Sequence, residues 1–154
     1  MRMKITVVTT LMIAFSLNSL ATGEPKGKES QRIEWLTHYG SARRASDKSE
    51  RPVMLFLTTE GCLHCTRMQH DAFRDKRVIN DVKKSFVPAM IKIQGESRLA
   101  NDLRVTVYPT TVFIAPDGKI LDYIRGYIPT DNLRYRMNRV VDASAASVAS
   151  RSMP

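Results

Sequence analysis

The sequence predicts an α/β fold, a central mixed β-sheet flanked by helices on both faces. Two observations carry this. Val53 to Thr58 reads as a continuous apolar run of strand length, the pattern of a strand covered on both sides. Helical and strand periodicities then alternate along the chain. They end in two strand patterns joined by Pro116-Asp117-Gly118-Lys119, which reads as a turn closing a hairpin.

The elements follow in order. From Ser30 the spacing predicts a helix, with Ile33, Leu36, Tyr39, Ala42 and Ala45 recurring at helical intervals and Trp35 beside them. Gly40 weakens that helix by about 1 kcal/mol relative to Ala. Ser46 to Glu50 is polar and reads as a loop before the strand at Val53. A helix is expected from Leu63 to about Phe73, and another from Lys76 to Ser85 with Val78, Ile79 and Val82 on one side. Phe86 to Ile93 reads as a strand. Pro88 near its start points to an edge or a bulge, because proline cannot donate to a ladder. Glu96 to Leu103 reads as a short helix, and Thr110 to Ala115 and Ile120 to Arg125 as the hairpin strands. Gly126 ends the second of these. Thr130 or Asp131 then caps a last helix carrying Leu133, Met137, Val140 and Val141. The first two strands are expected to be parallel, joined by a right-handed crossover.

The ends of the chain read differently from its middle. Arg2 and Lys4 precede a short apolar stretch, Ile5 to Leu17, and Ser19-Leu20-Ala21 fits a small-x-small cleavage site. Residues 1–21 are therefore expected to be a secretory signal peptide, with an uncleaved anchor as the alternative. The apolar stretch is shorter than the roughly 20 residues that a membrane span needs. Export places the protein in the periplasm or outside the cell, where disulfides persist. Residues 22–29 are polar with Gly and Pro and read as a disordered linker. The domain is expected over 30–142, and the Ala- and Ser-rich residues 143–154 as a flexible tail.

The length of 154 residues is that of one domain, and 43% hydrophobic content is enough for a core. The formal charge is +9. Residues 1–21 hold two of these cations and no acid, so their removal leaves +7. The cations lie in separate short groups, Arg43-Arg44, Lys83-Lys84 and Arg134/Arg136/Arg139, rather than in one stripe. They read as solvated helix faces, and no nucleic-acid partner is expected.

The chemistry rests on Cys62 and Cys65, the only cysteines, which follow the apolar strand in Gly61-Cys62-Leu63-His64-Cys65. A Cys-x-x-Cys at the start of a helix suits thiol–disulfide exchange. Helix N–H groups and the positive dipole end favour a thiolate on the first cysteine. The second lies one turn on, placed to attack a mixed disulfide. A structural disulfide is the blander reading, but so short a loop removes little chain entropy. Zinc needs about four ligands, and only His38, His64 and His70 accompany the pair, with no second Cys pair. Haem attachment would need His where Thr66 stands.

With these residues in place, the chain resembles the thioredoxin superfamily, and most of all its small exported members. The resemblance runs from about Trp35 to Val141. It is carried by Arg51-Pro52-Val53-Met54-Leu55-Phe56, by Cys62-Leu63-His64-Cys65, by Val105 to Phe113 with Tyr108-Pro109-Thr110, and by Gly126-Tyr127 with Leu133. It implies a thioredoxin-like fold with Cys62 as attacking thiolate, Cys65 as resolving thiol and Pro109 in a cis peptide bond. It further implies that the backbone of Tyr108 pairs with a bound substrate chain. Gly61, Leu63, Thr106 and Val107 are the neighbours expected to contact that substrate. Proline suits the cis position, since there the cis form costs only about 0.5–1 kcal/mol.

The chain departs from the thioredoxin pattern at two positions. Gly61 stands where a Trp usually precedes the first cysteine, and Phe56 where a buried acid usually relays a proton. Glu60 lies near the site and could substitute, but it reads more readily as an exposed acid. His64 lies between the cysteines, where an imidazole would favour the Cys62 thiolate and make the disulfide more oxidising. The Cys-x-His-Cys pattern resembles DsbA-type oxidants and disulfide isomerases, yet a DsbA-sized helical insertion does not fit in this length.

The resulting reading is a monomeric, exported thiol–disulfide oxidoreductase. It acts on cysteine-containing protein substrates, is serviced by a membrane redox partner and uses no cofactor. The direction of electron flow stays open. Two other readings remain: a metal-handling module binding a soft ion such as copper(I) through Cys62, Cys65 and His64 or His70, and a binding domain without turnover.

Overall fold

A computed structural model of the chain describes residues 31–95 and 97–151. The signal-peptide and linker expectations, residues 1–21 and 22–29, lie outside the described residues. The elements are α1 (Tyr39–Ser49), β1 (Val53–Thr58), α2 (Leu63–Asp71), α3 (Lys76–Ser85), β2 (Val87–Lys92), a 3-10 turn (Ile93–Gly95), α4 (Ser97–Asp102), β3 (Thr110–Ile114), β4 (Ile120–Arg125) and α5 (Thr130–Arg151).

The four strands form one sheet in the order β2-β1-β3-β4. β1 runs parallel to β2 and antiparallel to β3, and β3 is antiparallel to β4. This is the mixed sheet that the sequence predicts. β1 is central and its side chains alternate between two cores, which is why its sequence is apolar without a break. Met54 and Phe56 point to the side packed by α2, α3 and α5, with Met68, Val82 and Met137. Val53, Leu55 and Leu57 point to the side packed by α1 and α4, with Ala42, Leu99 and Ala100.

Pro88 lies on edge strand β2. Its carbonyl accepts from the N–H of Leu36, and the N–H of Met90 donates back to the carbonyl of Leu36. Pro88 thus turns its missing N–H away from β1, where it costs no ladder bond. Asp75 caps α3, accepting from the N–H of Arg77 at 2.8 Å and of Val78 at 3.4 Å. The Arg77 guanidinium on the same carboxyl holds its pKa down at about 2.

Four expectations are corrected. The helix expected from Ser30 begins, among the described residues, only at Tyr39; residues 31–38 are not helical, and Leu36 bridges Ala89 at the sheet edge. Ser46 to Ser49 is helical rather than loop, because Ser46 is buried and donates its hydroxyl to the carbonyl of Arg51 at 2.6 Å. Thr130 is already in the last helix, and its first turn is closed by the carbonyl of Pro129, which accepts from Leu133. That helix does not end at residue 142. It runs on to Arg151, with Ser144 buried and Ser147 donating to Asp117 at 2.7 Å. Alanine is the best helix former and serine is tolerated, so a composition that suggests a tail also suits a helix with a surface to lie on.

Thr111 on β3 pairs with Phe56 and is buried, and its hydroxyl has no hydrogen-bond partner among the described residues. Thr111→Val keeps the shape and removes the stranded hydroxyl. We expect it to stabilise the fold by about 1 kcal/mol in urea unfolding. A destabilised variant would show that the hydroxyl is satisfied in solution.

Candidate active site

The site is built where β1 ends and β3 begins. Antiparallel pairing sets Leu57 opposite Thr110. The chain leaving β1 towards Cys62 and the loop entering β3 through Pro109 therefore meet at one end of the sheet. Cys62 is the N-cap of α2, in extended backbone at φ −80°, ψ 97°. It is joined to Cys65 by a disulfide, with the Cα atoms 5.2 Å apart. The two sulfurs differ in access: Cys62 is partly exposed, whereas Cys65 is buried at 1%. The N–H of Cys65 donates to Cys62 Sγ at 3.1 Å, and the carbonyl of Cys62 accepts from the N–H of Thr66 at 3.1 Å. A helix N–H thus already points at the sulfur that caps the helix.

The Tyr108–Pro109 peptide bond is cis. Pro109 is buried, Tyr108 is partly buried, and Thr106 and Val107 are exposed. Two hydrogen bonds shape this loop. Thr110 Oγ1 donates to the carbonyl of Val107 at 2.7 Å, and the N–H of Gly126 donates to the carbonyl of Pro109 at 2.7 Å. Gly126 has φ +79°, a conformation that L side chains rarely adopt, which is why glycine stands there. The sequence marks Gly126 as the end of a strand and as part of the thioredoxin resemblance; its grip on Pro109 appears only in three dimensions.

Two exposed apolar side chains belong to this end, Leu63 at 83% exposure on α2 and Val107 at 43% on the loop. Arg67 extends the Leu63 face of α2 by one turn. Its guanidinium lies 4.6 Å over the ring of Tyr127, whose hydroxyl donates to Asp71 at 3.1 Å. That hydrogen bond, with Arg67 and His70 adding, lowers the pKa of Asp71.

The two departures from the thioredoxin pattern have structural counterparts. Gly61 has φ +65°, where any side chain is strained, so Trp would fit poorly. Phe56 is fully buried among rings, 4.9 Å from Phe73 and 6.3 Å from Trp35 between centroids. The position that would carry a proton relay thus holds an aromatic ring with no titratable group. Glu60 is exposed and bonded to Lys92, which, with Gln94, lowers its pKa. An acid held ionised in solvent is no substitute for a buried proton reservoir.

His64 is exposed and hydrogen-bonds to no described residue while the disulfide is closed. His38 lies at the exposed N-cap of α1, and His70 is exposed beside Asp71. Among the described residues no group of three or more His, Cys, Asp or Glu side chains could hold a metal ion.

The sequence matches the thioredoxin-like domain family over residues 39–140. The chain belongs to that family. Solved thioredoxin-like structures superpose on it. A thioredoxin from Thermus thermophilus does so with a TM-score of 0.69 at 22% identity, over 80% of this chain and 98% of that one. The DsbH oxidoreductase gives 0.58 at 20% identity, over 71% and 85%. The oxidised C-terminal domain of DsbD from Neisseria meningitidis gives 0.57 at 16%, over 69% and 98%. At these identities the likeness is one of fold. No curated protein matches the chain. A thioredoxin-like family domain that keeps its Cys-x-x-Cys pair has the parts of a thiol–disulfide oxidoreductase.

Proposed function

We propose that the protein is an exported thiol–disulfide oxidoreductase acting on cysteine-containing protein substrates through Cys62 and Cys65. One observation carries the reading: a partly exposed helix-capping sulfur is bonded to a buried one. As a reductant, the Cys62 thiolate attacks a substrate disulfide and expels one substrate thiolate. Cys65 then attacks Cys62 Sγ, frees the second substrate thiol and leaves the Cys62–Cys65 disulfide. Two electrons have passed to the substrate, and a dithiol donor, in this reading a membrane partner, must restore them. As an oxidant, the same steps run backwards. Leu63, Thr106, Val107 and the backbone at Gly61 and Tyr108 supply the exposed rim on which a substrate chain would lie. Pro109 offers no N–H and so leaves the sulfurs room.

The test is catalysis of insulin disulfide reduction by the reduced protein, with glutathione equilibration to give the potential. Failure to turn over any protein disulfide would reject the reading and favour a binding domain. Export is tested by the N-terminal residue of the protein recovered after secretion, expected at Thr22.

His64 is the residue through which the direction can be tested. In the reduced protein an imidazole beside Cys62 favours the thiolate, stabilises the reduced form and raises the potential. His64→Ala should therefore reduce the Cys62 thiolate absorbance at fixed pH. It should also lower the potential by some tens of millivolts, since about 30 mV corresponds to about 1.4 kcal/mol. If neither quantity moves, His64 is a bystander and the reductant direction is favoured.

A further inference from the structure

We propose that a groove beside α2, lined by Thr66, Gln69 and His70 and separate from the Pro109 rim, docks a protein partner that presents an apolar side chain flanked by carboxylates. The groove has a volume of about 950 Å³. Its floor is apolar: Ile33, Trp35, Phe73 and Met90. Trp35 packs on Phe73 with ring centroids 4.9 Å apart, yet it stays partly exposed at the groove. A rigid, half-covered indole over an aromatic base is the kind of surface that anchors protein interfaces, where Trp and Arg dominate binding energy.

The rim fixes the sign of the partner. Arg32, Arg74 and His70 line the groove, and among the described residues no Asp or Glu does. Neither Arg32 nor Arg74 has a carboxylate partner among the described residues. Two cations with no counter-charge among the described residues, lining an apolar floor, complement an apolar residue between acids. Position gives the surface its relevance. Thr66 and Gln69 form one wall, and Thr66 directly follows Cys65 in α2. A partner seated here lies against the redox helix but leaves Leu63, Val107 and Pro109 open. This goes beyond the oxidoreductase reading, because it assigns a second surface that touches neither sulfur.

The chain holds a single tryptophan, so its fluorescence reports on the groove directly. The probes are two cysteine-free peptides, Asp-Asp-Phe-Leu-Asp-Asp and Lys-Lys-Phe-Leu-Lys-Lys, titrated into the full chain. The acidic peptide should change Trp35 emission saturably, and its affinity should fall in about 0.5 M salt, where the screening length is only a few ångströms. The basic peptide should not bind. Arg74→Glu should weaken the acidic peptide about tenfold or more, the scale of a lost close charge pair. The same variant should reduce bis(2-hydroxyethyl) disulfide, a small neutral substrate, at the parent rate, which separates this proposal from the catalytic one. Equal binding of both peptides, binding of neither, or an unchanged affinity in Arg74→Glu would overturn it. So would acrylamide reaching Trp35 only after residues 22–30 are replaced by Gly and Ser, since the chain would then cover its own groove.

Discussion

Cys65→Ser should accumulate as a covalent complex with its protein substrates, whereas Cys62→Ser should form none. The expectation follows from where α2 starts. Cys62 caps the helix and is partly exposed, and a backbone N–H already points at its sulfur. Once the disulfide opens, that N–H can donate to a thiolate, and a hydrogen bond to a charged group contributes about 1.5–3 kcal/mol. Cys65 is buried at 1% in the core with Met68 and Phe73. A buried thiol in apolar surroundings is a poor nucleophile towards an external disulfide. It needs only to reach Cys62, one turn away. Without Cys65 the mixed disulfide has no internal resolving thiol, and it survives non-reducing electrophoresis. Without Cys62 the remaining sulfur is out of reach. Both variants should lose insulin reduction, and only one should carry substrate. Equal trapping by the two would reverse or abolish the assignment of roles.

Much of this site is legible in the sequence, and the reason is physical. β1 has one solution: a run apolar on both alternating faces must be central, so Val53–Thr58 is read to the residue. α3 is likewise marked by Val78, Ile79 and Val82 on one side and by a break at each end. The dithiol is legible because residues at a helix start face a known dipole. The stretch before α1 is not legible. Ile33, Leu36 and Tyr39 are three apart, and that spacing serves a helix as well as a chain crossing a sheet edge. Only the pairing of Leu36 with β2 decides it, and that pairing is non-local. The same crossing brings Trp35 over Phe73, so the groove is no more legible in the sequence than the crossing is. Glu60 reads from the sequence as an exposed acid and is exposed; its partner Lys92 is non-local and not legible there.

Phe56→Ala should destabilise the fold by about 3–5 kcal/mol, the range for removing a buried phenylalanine. For a domain of this size that is a fall in midpoint of about 10–20 °C. Phe56 is among the largest fully buried side chains and stands on the central strand. Its ring meets Phe73 edge-on at 89° and Trp35 at a tilt of 41°. Such ring pairs add about 0.5–1.5 kcal/mol each beyond the area they bury. The cavity would open beneath α2, because Phe73, Met68 and Cys65 belong to the same cluster. These neighbours are held by the sheet and by α3, so they cannot collapse fully into the space, and the upper part of the range applies. Phe56→Leu leaves a smaller gap and should recover a large share of the loss. The sulfurs are untouched, so disulfide turnover well below the new midpoint should persist in both variants. That separates this position from the proton-relay acid of the thioredoxin pattern, whose loss would slow the resolving step without unfolding the protein. A loss below about 1 kcal/mol in Phe56→Ala would mean that the aromatic cluster does not hold α2 on the sheet. Slowed turnover with unchanged stability would instead place Phe56 in the chemistry.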